Sequence, residues 1–134
     1  MIGLDTNILL RAVTRDDPVQ SPLARRLIGA LTPESPGCVA LIVLCEFAWT
    51  LKRRYKYGHT DIARAIEAMV ASPAFLLPDR GTVNAAINEM RQFGIDFADA
   101  VNGHQNRAAG VNTTMTFDQD ATCSPLFTLA QEET

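Results

Sequence analysis

Short apolar runs alternate with stretches of helical period along almost the whole chain, and this alternation fixes the fold class. Met1 to Leu4, Gly37 to Ala40 and Phe75 to Leu77 read as brief buried strands. "NTTMTF", residues 112–117, has β-branched alternation, and "LFTL", residues 126–129, reads as a last edge strand. Helices are expected over 6–13, 18–31, 42–57, 59–72, 82–93 and 96–110, with Pro22 confining the second to its later part. Gly58, Gly94 and Gly110 close three of them, and His59 or Thr60, Asp79 or Thr82, and Asp96 stand at helix starts. Gly103, inside the last helix, costs about 1 kcal/mol relative to alanine. Strands separated by helices pair in parallel, because a parallel neighbour requires a crossover. The expected class is α/β, an α/β/α sandwich around a central, mainly parallel sheet of four to five short strands.

The chain has 134 residues and 47% hydrophobic content, enough for one core. A single domain over 1–130 is expected, with "QEET" (131–134) as a frayed tail. The longest apolar run, Cys38 to Leu51, is interrupted by Glu46 and falls short of the ~20 residues that span a bilayer. No basic segment followed by an apolar one opens the chain, so a cytoplasmic protein without a membrane partner is expected. Cys38, Cys45 and Cys123 are odd in number and scattered, which suggests neither a disulfide framework nor a zinc site. The net charge of −3 argues against a broad basic surface.

The acidic residues carry the chemistry. Asp5 and Asp118 each follow an expected strand, and in an open parallel sheet ligands bind outside the carboxyl ends of the strands. Glu46 stands inside "ALIVLCEFAWTL", apolar but for Cys45 and Thr50, so it is expected to face inward at a pocket floor with a partner that makes it tolerable. Asp96 and Asp99 lie three apart at the start of the last helix; Asp96 fits the N-cap and Asp99 the third position, which favours Asp99 as a ligand. With Asp5, Glu46, Asp99 and Asp118 set aside, the remaining 11 of 15 acidic residues balance the 12 basic ones.

Four clustered carboxylates repel one another, and a hard divalent cation resolves that conflict. Mg²⁺ or Mn²⁺ takes oxygen ligands, keeps waters and can hold a phosphate, whereas zinc prefers the His and Cys this set lacks. The implied chemistry is phosphodiester hydrolysis. Asp5 and Asp99 are expected as the principal metal ligands, with Glu46 and Asp118 in support. Thr6, Asn7, Asp96 and Thr116 are candidates for orienting them from behind. Arg11, Arg15 and the Lys52, Arg53 and Arg54 of "KRRYK" are candidate phosphate contacts. His59 and His104 read as surface residues.

In "IGLDTNILLR", "VLCEFAWTL", "DFADAV" and "TMTFDQDA", which follow one another between residues 2 and 121, the sequence resembles the PIN-domain ribonucleases, and among them the VapC-type toxins of bacterial toxin–antitoxin pairs. That resemblance implies a PIN-like fold, a Mg²⁺- or Mn²⁺-dependent endoribonuclease acting on RNA, products with 5′-phosphate and 3′-hydroxyl ends, a cognate antitoxin and a homodimer. Gly103 and His104 depart from the small apolar residues usual there, which bears on the packing of that helix. A non-catalytic PIN-like module that binds RNA or protein is the alternative. Asn7 counts against a haloacid-dehalogenase-type phosphatase, whose chemistry needs a second aspartate there.

Overall fold

The computed structural model describes residues 1–131; residues 132–134 of the expected tail lie outside the described residues. The chain falls into two compact units, Met1–Arg80 and Gly81–Thr134.

In the first unit, β1 (Ile2–Gly3), β2 (Gly37–Cys38) and β3 (Phe75–Leu76) form a parallel sheet with β2 in the middle. Ile2 is in register with Gly37, and Gly37 with Phe75. The ladder runs one residue beyond the strands, where Leu4 N–H donates to the Cys38 carbonyl at 2.9 Å and Val39 N–H to that of Leu76 at 3.0 Å. Helices α1 (Thr6–Thr14), α2 (Gln20–Gly29), α3 (Leu41–Arg53) and α4 (His59–Ala71) complete the unit, with α1 packed on α2 and α3, and α3 on α4. Leu9 and Leu10 of α1, Leu44, Phe47 and Leu51 of α3, and Ile62 and Ile66 of α4 are buried, the i, i+3, i+4 spacing of helices that each bury one stripe.

The second unit holds α5 (Arg80–Phe93), which begins on the last residue of the first unit, then α6 (Phe97–Ala108), β4 (Thr114–Thr116), a 3₁₀ turn at Ala121–Cys123 and β5 (Phe127–Leu129). β4 and β5 pair in parallel, Thr114 opposite Phe127. The α/β class and the parallel pairing are as expected. The strands, however, are hydrogen-bonded as a three-stranded and a two-stranded sheet rather than as one.

Helix ends differ from expectation for local reasons. α2 starts before Pro22, because a proline in the first turn displaces no intrahelical N–H. α3 stops four residues before Tyr57; Lys56 takes a left-handed backbone (φ 61°), and Tyr57 N–H turns back to the Leu51 carbonyl. Asp79 is left-handed as well (φ 58°), and α5 begins immediately after it.

Gly103 has a packing reason. It is buried in α6, and a Cβ there would lie 3.0 Å from Cβ and Cδ1 of Leu126 and 3.1 Å from the Phe127 ring. The helix gives up some propensity to let the chain before β5 approach closely. His104, expected at the surface, is half-buried: Nε2 lies 3.4 Å from Glu89 Oε1 without forming a hydrogen bond, and Ser124 Oγ donates to Glu89 Oε2 at 2.8 Å. This polar contact ties α5, α6 and the 3₁₀ turn. Gly103→Val is expected to destabilise the protein by about 1–3 kcal/mol in urea unfolding, whereas Gly29→Ala, where nothing stands within 4 Å of the added carbon, leaves stability level or slightly higher.

Candidate functional site

In the first unit, Asp5 follows β1 and caps α1. Its backbone is extended, and its Oδ1 accepts from Thr6 N–H at 2.8 Å. The residue is exposed, at the helix end whose dipole favours negative charge. Thr6 therefore meets Asp5 through its main chain; its hydroxyl oxygen is buried without a hydrogen-bond partner. Asn7 is exposed and, with Ile8, Arg11, Gln20, Leu23, Ala24 and Leu27, lines a cleft of about 260 Å³ between α1 and α2.

Glu46 corrects the sequence reading. It is exposed, not inward-facing. Leu44, Phe47, Ala48 and Leu51 are the buried side of α3, and Glu46 lies opposite them with the exposed Ile42, Trp49 and Arg53. The carboxylate is thus open to solvent and to a substrate.

The basic residues divide by role. Arg11 is held in place: Nε donates to Gln20 Oε1 at 2.8 Å and Nη1 stands 3.2 Å from Asp16 Oδ1. Tyr55, 39 residues away from Asp16 in sequence, donates its hydroxyl to Asp16 Oδ2 at 2.8 Å, and Thr14 Oγ1 donates to Oδ1 at the same distance. This network joins the turn after α1 to the segment after α3. Arg15 is exposed at the left-handed C-cap of α1. Arg53 and Arg54 are exposed at the end of α3, and the Arg54 guanidinium carbon lies 5.6 Å from the centroid of the Tyr55 ring. Lys52 is half-buried and has a partner of its own.

In the second unit, Asp96 is at the N-cap of α6 and Asp99 in its first turn, as expected. Asp96 makes no side-chain capping hydrogen bond, so its role as a cap is one of backbone geometry only. Both are half-buried and each has an interaction partner. Asp118 is exposed, two residues beyond β4. Its N–H donates to Thr116 Oγ1 at 3.0 Å, and its Oδ1 accepts from Asp120 N–H at 2.9 Å. Two successive side-chain turns therefore fix the backbone around it. Thr6 thus meets its acid through its own main-chain N–H, and Thr116 through its side-chain hydroxyl, which accepts from the main chain of Asp118.

The donors fit a hard divalent cation by type: they are carboxylates, with the unpaired Thr6 hydroxyl oxygen beside one of them. Among the described residues, no three His, Cys, Asp or Glu side chains gather as a ready-made cage.

Compared with known protein families, residues 2–122 match the PIN domain. The chain belongs to the PIN-domain family. PIN domains are typically nucleases that use divalent metal ions, which agrees with acids placed after strands and at helix starts. No curated relative matches the chain. Among the described residues, no helix of this PIN domain is long and apolar enough to cross a membrane.

The tyrosine–aspartate contact makes a separate prediction. The hydrogen bond from Tyr55, followed by that from Thr14, lowers the Asp16 carboxyl from 3.8 to about 2. A folded-state pKa below the unfolded one stabilises the fold above the ordinary carboxylate range, and that contribution disappears as pH falls from about 4 towards 2. Tyr55→Phe is expected to move the Asp16 carboxyl back up towards the ordinary range, read by carboxyl-carbon NMR.

Proposed function

We propose that this PIN domain is a metal-dependent endoribonuclease acting as the toxin of a bacterial toxin–antitoxin pair. One observation supports the reading above the others: the stretch that matches the family, residues 2–122, contains Asp5, Glu46, Asp99 and Asp118, all four acids that the chemistry requires. Asp5 and Asp99 serve as the principal ligands and Glu46 and Asp118 as supporting ones. A bound Mg²⁺ or Mn²⁺ would ease loss of a proton from a bound water and would supply positive charge for the phosphodiester oxygens.

The chain's own residues supply position. Thr6 N–H holds the Asp5 carboxylate, and Thr116 and Asp120 hold the turn that carries Asp118. Asn7 and Asp96 are the remaining candidates for orienting the acids. Exposed Arg15, Arg53 and Arg54, with Lys52 beside them in sequence, are the candidate phosphate contacts; Arg11 belongs to the Asp16 network first. The partners of this reading are an RNA substrate, a cognate antitoxin and a second copy of the chain, in the cytoplasm.

Incubation of RNA with the purified protein and Mg²⁺ or Mn²⁺, followed by mapping of the new ends, is expected to yield 5′-phosphates and 3′-hydroxyls. EDTA abolishes the cuts, and Asp5→Asn reduces them by about 100-fold or more, since even outer partners of a metal site are worth 10–100-fold. Expression of the wild-type chain in bacteria arrests growth and Asp5→Asn does not. RNA bound equally well with EDTA and never cut would instead indicate a non-catalytic PIN-like module.

A further inference from the structure

The solvent side of α3 is not an ordinary solvated helix face. Ile42, Glu46, Trp49 and Arg53 follow one another at spacings of four, three and four residues, so they form a single stripe, and all four are exposed. Trp49, the chain's one tryptophan, is 59% exposed and Ile42 69%. A large ring left in water forgoes the stabilisation that burial would give it, so its exposure needs a reason. The same association recurs independently in the second unit, where Phe117, 88% exposed, directly precedes Asp118.

We propose that Trp49 is a stacking platform for an unpaired base of the RNA, with Arg53 contacting the neighbouring phosphate. The proposal rests on the nuclease reading above and assigns the base contact of that site to Trp49. An aromatic face accepts any base whose own face is open, and in a duplex both faces of a base are covered by its neighbours. Along α3, Glu46, Trp49 and Arg53 succeed one another about a turn apart, so a strand following the helix passes the acid, the ring and the guanidinium in order. The basic end of the stripe, Arg53 followed by Arg54, is complementary to a phosphate backbone, and this commits the face to nucleic acid rather than to a second copy of the chain.

Because Trp49 is the one tryptophan, its fluorescence reports the contact without a label. The full chain in EDTA is titrated with an oligoadenylate of about ten nucleotides, and separately with that strand annealed to oligouridylate. The single strand is expected to quench the emission and the duplex to leave it nearly unchanged. Trp49→Ala binds the single strand between about 5-fold and about 100-fold more weakly by fluorescence anisotropy of labelled RNA. Trp49→Phe keeps most of the affinity. Absence of quenching by either RNA, in protein that still cuts RNA with Mg²⁺ or Mn²⁺, overturns the stacking role and leaves the nuclease reading intact. Equal quenching by the duplex overturns the unpaired-base requirement. An emission shift that follows protein concentration alone, with a dimer lost in Trp49→Ala, assigns the face to a second copy and overturns the proposal. Quenching by the single strand with no cleavage in either metal supports the stacking role and removes the nuclease reading instead.

Discussion

The burial of one side of α3 sets the terms for the rest of the molecule. Leu44, Phe47, Ala48 and Leu51 are all buried, and a single helix cannot bury that stripe and also hide the residues opposite it. Glu46, Trp49 and Arg53 are therefore held in solvent by the core, not by any interaction of their own. Each of those four buried side chains gives up roughly 1–3 kcal/mol if returned to water. Rotating α3 to bring Glu46 inward would thus cost several such terms and the desolvation of a carboxylate besides.

That orientation changes what the acid needs. A buried Glu46 would require a cation merely to be tolerated; an exposed one is stable without it and is available to ligands arriving from solvent. Asp5 and Asp118 follow the same pattern. Both are exposed, and each is positioned by a short local hydrogen bond, Asp5 by the first N–H of α1 and Asp118 by the turn it forms with Asp120. Rigid local geometry with an open outer side is what a site for a hydrated cation and a phosphate calls for.

Much of the fold was legible because its signals are local. The five strands fall inside the apolar runs that suggested them, and Asp96 and Asp99 take the N-cap and first-turn positions that their spacing indicated. The orientation of Glu46 was misread because its neighbours on the helix, Ile42, Val43 and Trp49, are apolar and pointed to a buried face, whereas Ile42 and Trp49 are themselves exposed. The division of the strands into two sheets depends on pairing between distant segments, which periodicity does not record. Gly103 read as a cost because its reason, the close approach of Leu126 and Phe127, comes from elsewhere in the chain. The Asp16–Tyr55 contact and the Glu89 contacts with His104 and Ser124 escaped notice for the same reason. Of the candidate site, Asp5, Asp99 and Asp118 could be read from their positions after strands and in the first turn of a helix, whereas the roles of the Thr6 main-chain N–H and of the Thr116 hydroxyl required coordinates.

The proposed role of Asp5, Asp99, Glu46 and Asp118 is to hold a divalent ion. Electron paramagnetic resonance of Mn²⁺ titrated into the full chain measures this without RNA or turnover, because free ion gives a sharp signal that binding broadens. Saturable binding by the wild type, weakened about 10-fold or more in Asp5→Asn and again in Glu46→Gln, is the result predicted. Binding of equal strength in all three proteins, or none in the wild type, would contradict it.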